Sequence, residues 1–339
     1  MLINDNILFH NAVELTPDAG GGLTIQRFPR SVRNDPEVSP VGHVMARLAT
    51  KCELRFFADG PQVRLFLRSV HEGAAIDIHR GDLLVSAQPW LLRDRAVTEI
   101  HLPTFFFNDT ATTEIYTIRR FPRTLWRIAF NGSTVAYHGA DAMGGAIRPP
   151  GKDDQPDVRM LVYGSSITMA GPTFNDYAAI AAEELGWDLL NLGMAGSCHI
   201  ERSVADWIAA RDDWDVGLFE LGVNMAGQFE PAVFEQRARH LVQACVERRP
   251  DRPVVLLSVL RWSGDARAEP DRGTRHGCAF RRILREITAD VADHGAVHFI
   301  DGPEVTPDYR GFRADLTHPG DAAHFRIGLR VAERLRNVI

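Results

Sequence analysis

Two kinds of hydrophobic periodicity follow one another along this chain. Up to position 147, short runs mostly alternate apolar and polar residues: Leu54-Arg55-Phe56-Phe57, Val63-Arg64-Leu65-Phe66-Leu67, Ala75-Ile76-Asp77-Ile78 and Leu125-Trp126-Arg127-Ile128-Ala129-Phe130. A period of two places successive side chains on opposite faces, so each run predicts a half-buried β-strand. Asp59-Gly60-Pro61, Glu72-Gly73 and Asn131-Gly132 separate the runs with turn residues. Closely spaced strands of this kind predict an all-β sandwich or jelly roll over residues 1–147.

Residues 148–157 are proline-rich, polar and aperiodic, and read as a linker. Beyond them, over 158–339, strands and helices alternate. Short apolar runs predict strands over 159–163, 187–192, 216–221, 253–260 and 297–300. Phe234, Ala238, Leu241, Val242 and Cys245 fall on one face at helical spacing. Asn175 or Asp176 can cap a helix running through Leu185, and Gly186 can end it. Such alternation predicts an α/β domain whose parallel sheet is covered by helices on both faces.

Composition narrows the class. The 339 residues are 45% hydrophobic and 24% charged, as in ordinary globular proteins with room for two cores. A formal charge of -6 argues against nucleic acid or an anionic membrane as partner. Lys51 and Lys152 are the only lysines in an otherwise arginine-based set of cations, which reads as a GC-rich bacterial coding sequence. Cys52, Cys198, Cys245 and Cys278 show neither CxxC spacing nor a disulfide framework, and no His/Cys pair has zinc spacing. The first residues lack a basic segment followed by a long apolar core, so a cytoplasmic location is expected. Phe105 to Thr117 contains no Arg, Gly or Pro and departs from the rest of the chain. Its core, 108–117, resembles translated sequencing-adapter sequence; a foreign origin is favoured over a native strand followed by a Thr-rich turn, and no function is drawn from it.

The candidate chemistry begins where Met160-Leu161-Val162-Tyr163 breaks into Gly164-Ser165-Ser166-Ile167-Thr168. A strand ending this way delivers a serine hydroxyl to the carboxyl edge of the sheet, where open α/β sheets bind ligands. Taken alone, Ser165 and Ser166 read equally as turn or cap residues. Three further blocks follow: Asn191-Leu192-Gly193-Met194-Ala195-Gly196, Leu221-Gly222-Val223-Asn224 and Asp315-Leu316-Thr317-His318-Pro319. In this order the four blocks resemble the SGNH (GDSL-type) hydrolase superfamily across 159–339. The Gly-Ser-Ser-Ile-Thr form is similar to the subgroup with an N-terminal β-sandwich. Ser165 stands where most members have Asp, and Met225 where many have Asp. The resemblance implies a flavodoxin-like domain with a five-stranded parallel sheet.

It also implies roles. A serine hydroxyl is inert near neutral pH unless a base accepts its proton. Ser166 is the nucleophile in the family register, with Ser165 as the alternative. His318 is the base, and Asp315, three residues earlier, can reach the far imidazole nitrogen through a single turn. His199, His276, His294, His298 and His324 are rivals without an equivalently placed carboxylate. The oxyanion hole implied by the resemblance consists of the backbone N–H of Ser166, the backbone N–H of Gly196 and the side-chain amide of Asn224. Thr168 replaces the second glycine of the Gly-x-Ser-x-Gly elbow of α/β-hydrolases. The expected protein is a serine esterase for short acyl groups, O-deacetylation of a carbohydrate foremost, with no metal or organic cofactor. A lipase or thioesterase, and a non-catalytic carbohydrate-binding protein, are the competing readings. Trp262 is a candidate for stacking on a sugar or for core packing.

Overall fold

The computed structural model describes residues 2–71, 73–85, 89–93, 96–103, 120–170, 175–291 and 296–338. The adapter-like stretch 105–117 therefore lies outside the described residues, as do 171–174 and His294. Contacts divide the chain into two compact units, Met1–Pro29 with Ala46–Asp157, and Arg30–Met45 with Val158–Ile339. The segment Arg30–Met45, inside the span expected for the sandwich, takes its contacts from the second unit. It contains helices α1 (Arg30–Arg33) and α2 (Pro40–Met45).

The first unit is built from strands β1 (Ile3–Asn4), β2 (Ile7–His10), β3 (Glu14–Pro17), β4 (Leu23–Gln26), β5 (Glu53–Ala58), β6 (Gln62–Ser69), β7 (Ala75–Arg80), β8 (Leu83–Leu84), β9 (Trp90–Leu91), β10 (Thr98–Pro103), β11 (Trp126–Asn131), β12 (Val135–Asp141) and β13 (Ile147–Arg148). One sheet runs β1-β2-β5-β11-β7-β8, with β13 also on β5 and β9 also on β7. The other runs β10-β6-β12-β4-β3, and the pairings in both are antiparallel. Alternation decides the core. Leu54, Phe56, Ile76, Ile78, Ile128 and Phe130 from the first sheet join Val63, Leu65, Leu67, Ile100, Leu102 and Val135 from the second in one buried cluster. That is a β-sandwich. The segment 148–157, expected as an aperiodic linker, begins in β13 and holds a 3₁₀ turn at Lys152–Asp154.

The second unit holds β14 (Arg159–Gly164), α3 (Ser166–Met169), α4 (Tyr177–Leu185), β15 (Asp188–Gly193), α5 (Arg202–Ala210), β16 (Val216–Glu220), α6 (Pro231–Arg248), β17 (Val254–Leu257), α7 (Arg272–Asp290), β18 (Val297–Ile300), α8 (Gly302–Val305) and α9 (Asp321–Leu335). The five strands pair in parallel in the order β15-β14-β16-β17-β18. This is the doubly wound, flavodoxin-like order, and it reverses direction between β14 and β16. All five expected strands are present. The run expected over 253–260 ends as a strand at Leu257; Ser258 N–H still donates to Ile300 C=O at 3.1 Å, and its hydroxyl donates to Asp301 Oδ1 at 3.0 Å. Val259 and Leu260 remain buried as loop residues, so their apolarity reflects burial rather than strand. The helix expected from Phe234 to Cys245 is α6, and all five face residues are buried. Asp176 is the N-cap of α4, accepting from Ala178 N–H and Ala179 N–H at 2.9 Å, and Gly186 closes the helix with φ +71°.

Candidate active site

The switch point of the sheet brings three chain segments to one edge. β14 delivers Ser165 and Ser166, β15 leads into the loop carrying Gly196, and β16 leads into Asn224. The approach is close: a Cβ added to Gly193 would come within 2.6 Å of Met169 Cα, so only glycine lets α3 sit against the end of β15.

Ser166 Oγ lies 2.9 Å from His318 Nε2, and His318 Nδ1 lies 2.8 Å from Asp315 Oδ2. The sequence separation between serine and histidine is 152 residues, so only the fold joins them. Asp315 also accepts at Oδ1 from the backbone N–H of His318 at 2.9 Å and of Thr317 at 2.8 Å. Burial works against its charge, yet these two N–H groups and the imidazole together hold its carboxyl down to about 2. The single turn from Asp315 back to His318 passes through Leu316 in the left-handed region, φ +52°. A branched apolar residue is rarely found there. The turn is clamped by Arg313 N–H to His318 C=O at 2.8 Å and Gly320 N–H to Gly311 C=O at 2.8 Å.

The oxyanion candidates end the neighbouring strands. Gly196 has φ +66°, while a Cβ there would meet only Val41 Cγ1 at 3.7 Å. Its backbone conformation, and not crowding by the protein, is what demands glycine. Asn224 Oδ1 accepts from Cys198 N–H at 3.1 Å, which fixes the amide and leaves Nδ2 as its outward donor. Among the described residues, Ser166 N–H, Gly196 N–H and Asn224 Nδ2 donate to no protein acceptor. A cleft of about 160 Å³ opens beside the hydroxyl, lined by Ser166, Ile167, Ala170, Ala195, Arg313, His318, Pro319 and His324.

The rivals are elsewhere engaged. His324 is buried on the cleft wall, accepts from Tyr177 N–H at 3.3 Å and stacks on that ring. His199 is buried, with Nδ1 at 3.7 Å from Glu201; burial, then Arg237, lowers its pKa. His298 is on β18 and His276 is 3.7 Å from Glu230. Ser165 is buried as the N-cap of α3, accepting from Ile167 N–H at 3.1 Å. Trp262 lies against glycines: a Cβ at Gly264 or Gly277 would come within 2.5 and 3.3 Å of its indole. Met225 and Ala226, in the loop that follows Asn224, are buried.

Residues 161–326 match the GDSL-like lipase/acylhydrolase family. The second unit is a GDSL-like lipase/acylhydrolase domain. The chain is accordingly a hydrolase of carboxylic esters. No curated protein is similar enough to match. Among solved structures, the hydrolase is similar to the salicylyl-acyltransferase SsfX3 from a tetracycline biosynthetic pathway, at 19% identity and TM-score 0.79 over 98% of this chain and 96% of that one. It is similar to a GDSL-like lipase from Bacteroides ovatus ATCC 8483 at 15% identity and TM-score 0.67, covering 98% and 97%. It is also similar to a family two carbohydrate esterase from Clostridium thermocellum at 13% identity and TM-score 0.67, covering 98% of each chain. At these identities the likeness is one of fold, and it extends over both units of the GDSL hydrolase. No described helix is long and apolar enough to cross a membrane.

Two buried glutamates in the hydrolase domain escaped the sequence reading. Glu220 ends β16 and Glu201 precedes α5; burial first of all pushes Glu201 up to about 7. Neither lies within a motif, and the apolar neighbours of Glu220 in Phe219-Glu220-Leu221 were the only sign that it is buried.

Proposed function

We propose that the chain removes short acyl groups, acetyl foremost, from a carbohydrate through an acyl-enzyme on Ser166. The observation that carries this is the unbroken hydrogen-bonded line from Ser166 Oγ through His318 to Asp315 beside an open cleft. His318 Nε2 takes the hydroxyl proton as Ser166 Oγ bonds to the ester carbonyl carbon. Asp315 holds the proton on Nδ1 and stabilises the imidazolium that forms. The carbonyl oxygen becomes an oxyanion, and the unused donors of Ser166, Gly196 and Asn224 suit it. Collapse breaks the bond to the alkoxy oxygen, which leaves as the alcohol with the proton from His318. Water, deprotonated by the same imidazole, then releases the acid and restores Ser166.

The cleft supports a short acyl group, since Ile167, Ala170, Ala195 and Pro319 offer small apolar surface within about 160 Å³. The sugar part rests on the two-unit fold that the chain shares with carbohydrate esterases, together with polar lining from Arg313. Hydrolysis of p-nitrophenyl esters of increasing chain length tests the acyl preference, and acetate release from acetylated sugars tests the alcohol. Rates should fall steeply beyond acetate. A preference for octanoate without acetate release would make the protein a lipase or thioesterase. Acyl transfer to an added alcohol in preference to water would make it a transferase. Failure of a fluorophosphonate to label Ser166 would leave only a binding role.

A further inference from the structure

A second carboxyl faces the nucleophile turn from the neighbouring strand. Glu220, the last residue of β16, is fully buried. Its Oε2 accepts from Ser165 N–H at 2.8 Å, from Ser165 Oγ at 2.6 Å and from Thr168 Oγ1 at 3.1 Å. We propose that Glu220 is a positioning residue that commits the donors of Ser165, so that Ser166 alone presents both its hydroxyl and its N–H to the substrate. The inference rests on Ser166 being the nucleophile.

A hydroxyl has one proton to give. Ser165 gives its proton to Glu220, so its oxygen is left to accept the Ile167 N–H at 3.1 Å. The Ser165 N–H is taken by the same carboxyl. Of three successive amides, those of Ser165 and Ile167 are therefore tied inward, and that of Ser166 remains. The turn needs this support because α3 is a single turn of four residues, too short to hold itself. Thr168 ties its far end to Glu220 and to Tyr177 Oη at 2.8 Å, and Asn191 Nδ2 donates to Thr168 C=O at 2.8 Å. The carboxyl is pressed against the turn: a Cβ at Gly164 would lie 2.8 Å from Oε2. Burying a carboxyl is unfavourable, and the fold alone would be served by an apolar residue here. Three donors on one oxygen, all from the nucleophile turn, are what the acid supplies instead.

The test compares Glu220→Ala, Ser165→Ala and the double variant with the wild type. The readouts are kcat and KM for p-nitrophenyl acetate, the rate of fluorophosphonate labelling at Ser166, and Tm. Each single variant should lower kcat and labelling by about tenfold or more with KM within about twofold, as for a misplaced reacting group. The double variant should lose less than the product of the two, because the bond from Ser165 Oγ to Glu220 is lost in both single variants. A fall in Tm with unchanged kcat, a change confined to KM, or losses that multiply would each overturn the proposal. If Glu220→Ala does not fold, Ser165→Ala decides, since it removes one hydroxyl; unchanged kcat there overturns the proposal. Wild-type protein that is not labelled at Ser166 overturns the serine-hydrolase reading as well. Wild type and variants labelled equally fast overturn the role of Glu220 alone.

Discussion

A largely enclosed glutamate of the sandwich and a fully buried one of the hydrolase domain are treated in opposite ways. In the sandwich, Glu53 on β5 meets two guanidinium groups: Arg127 reaches Oε1 at 2.6 Å and Oε2 at 3.0 Å, and Arg55 reaches Oε2 at 2.7 Å. Both arginines lie over the Phe121 ring, at 4.1 and 4.7 Å. Burial opposes the charge, but Arg127 and then Arg55 outweigh it and hold the carboxyl well below its usual range. In the hydrolase domain, Glu220 has hydroxyl and amide donors only, and burial outweighs them and pushes its pKa up. An acid paired with buried cations fastens a sheet. A buried acid given only the donors of one turn orders that turn. The same residue type thus serves stability in one unit and the geometry of a hydroxyl in the other.

If that division holds, activity and stability should separate by unit. Ser166→Ala should abolish ester hydrolysis, by about 10⁴-fold or more, with Tm little changed; His318→Ala should do nearly the same, because nucleophile and base act together. Retained activity in His318→Ala would move the base elsewhere, with His324 on the cleft wall the first suspect. Glu53→Ala leaves two buried guanidinium groups without their carboxylate and should destabilise by about 3–5 kcal/mol in denaturant unfolding. Its kcat per folded molecule should stay at the wild-type value; a kcat loss as large as that of Asn224→Ala would break the comparison. Asn224→Ala should lower kcat on the order of a hundredfold with a smaller effect on KM, the pattern of a donor acting in the transition state.

The smallest effect is the most specific to the comparison, and it appears in Tm against pH. Glu53 has a depressed folded pKa, so its contribution is present above the ordinary carboxylate range and is lost as pH falls toward that depressed value. Glu220 has a raised folded pKa, so the folded state binds its proton more tightly than the unfolded state does. Its contribution is therefore fullest below the ordinary carboxylate range and declines as pH rises through the raised value. Relative to Glu53→Gln, wild-type Tm should improve with rising pH; relative to Glu220→Gln, it should worsen. Slopes of the same sign would erase the distinction.

Much of the architecture was legible before any coordinates. Period-two runs mark β5, β6, β7 and β11, because the face turned to the core is apolar and the other largely polar, half-buried along most of β6 and fully buried along β11. Strand–helix alternation and the Asp176 and Gly186 caps mark the parallel-sheet unit, since capping chemistry is local. The apolar run 253–260 is longer than its strand, Val254–Leu257, because burial and strand look alike in an apolar run. The insertion of Arg30–Met45 into the second unit has no local signature at all, for contact with a distant segment leaves no period in the sequence.

By itself the sequence determined the two periodicities, the caps, and four blocks whose residue types and order name a hydrolase. Those properties depend on neighbours within a few positions, or on chemistry that a side chain carries wherever it lies. Only the tertiary structure decided that Ser166 and not Ser165 faces His318, with Ser165 bonded instead to Glu220, 55 positions away at the end of the neighbouring parallel strand. It likewise decided that Gly196 is held by its backbone angle, that Asn224 is aimed by Cys198, and that Trp262 packs on glycines. Each of these depends on which long-range donors meet which acceptors, and hydrogen bonds are made by distance and angle, which a linear order of residues does not contain.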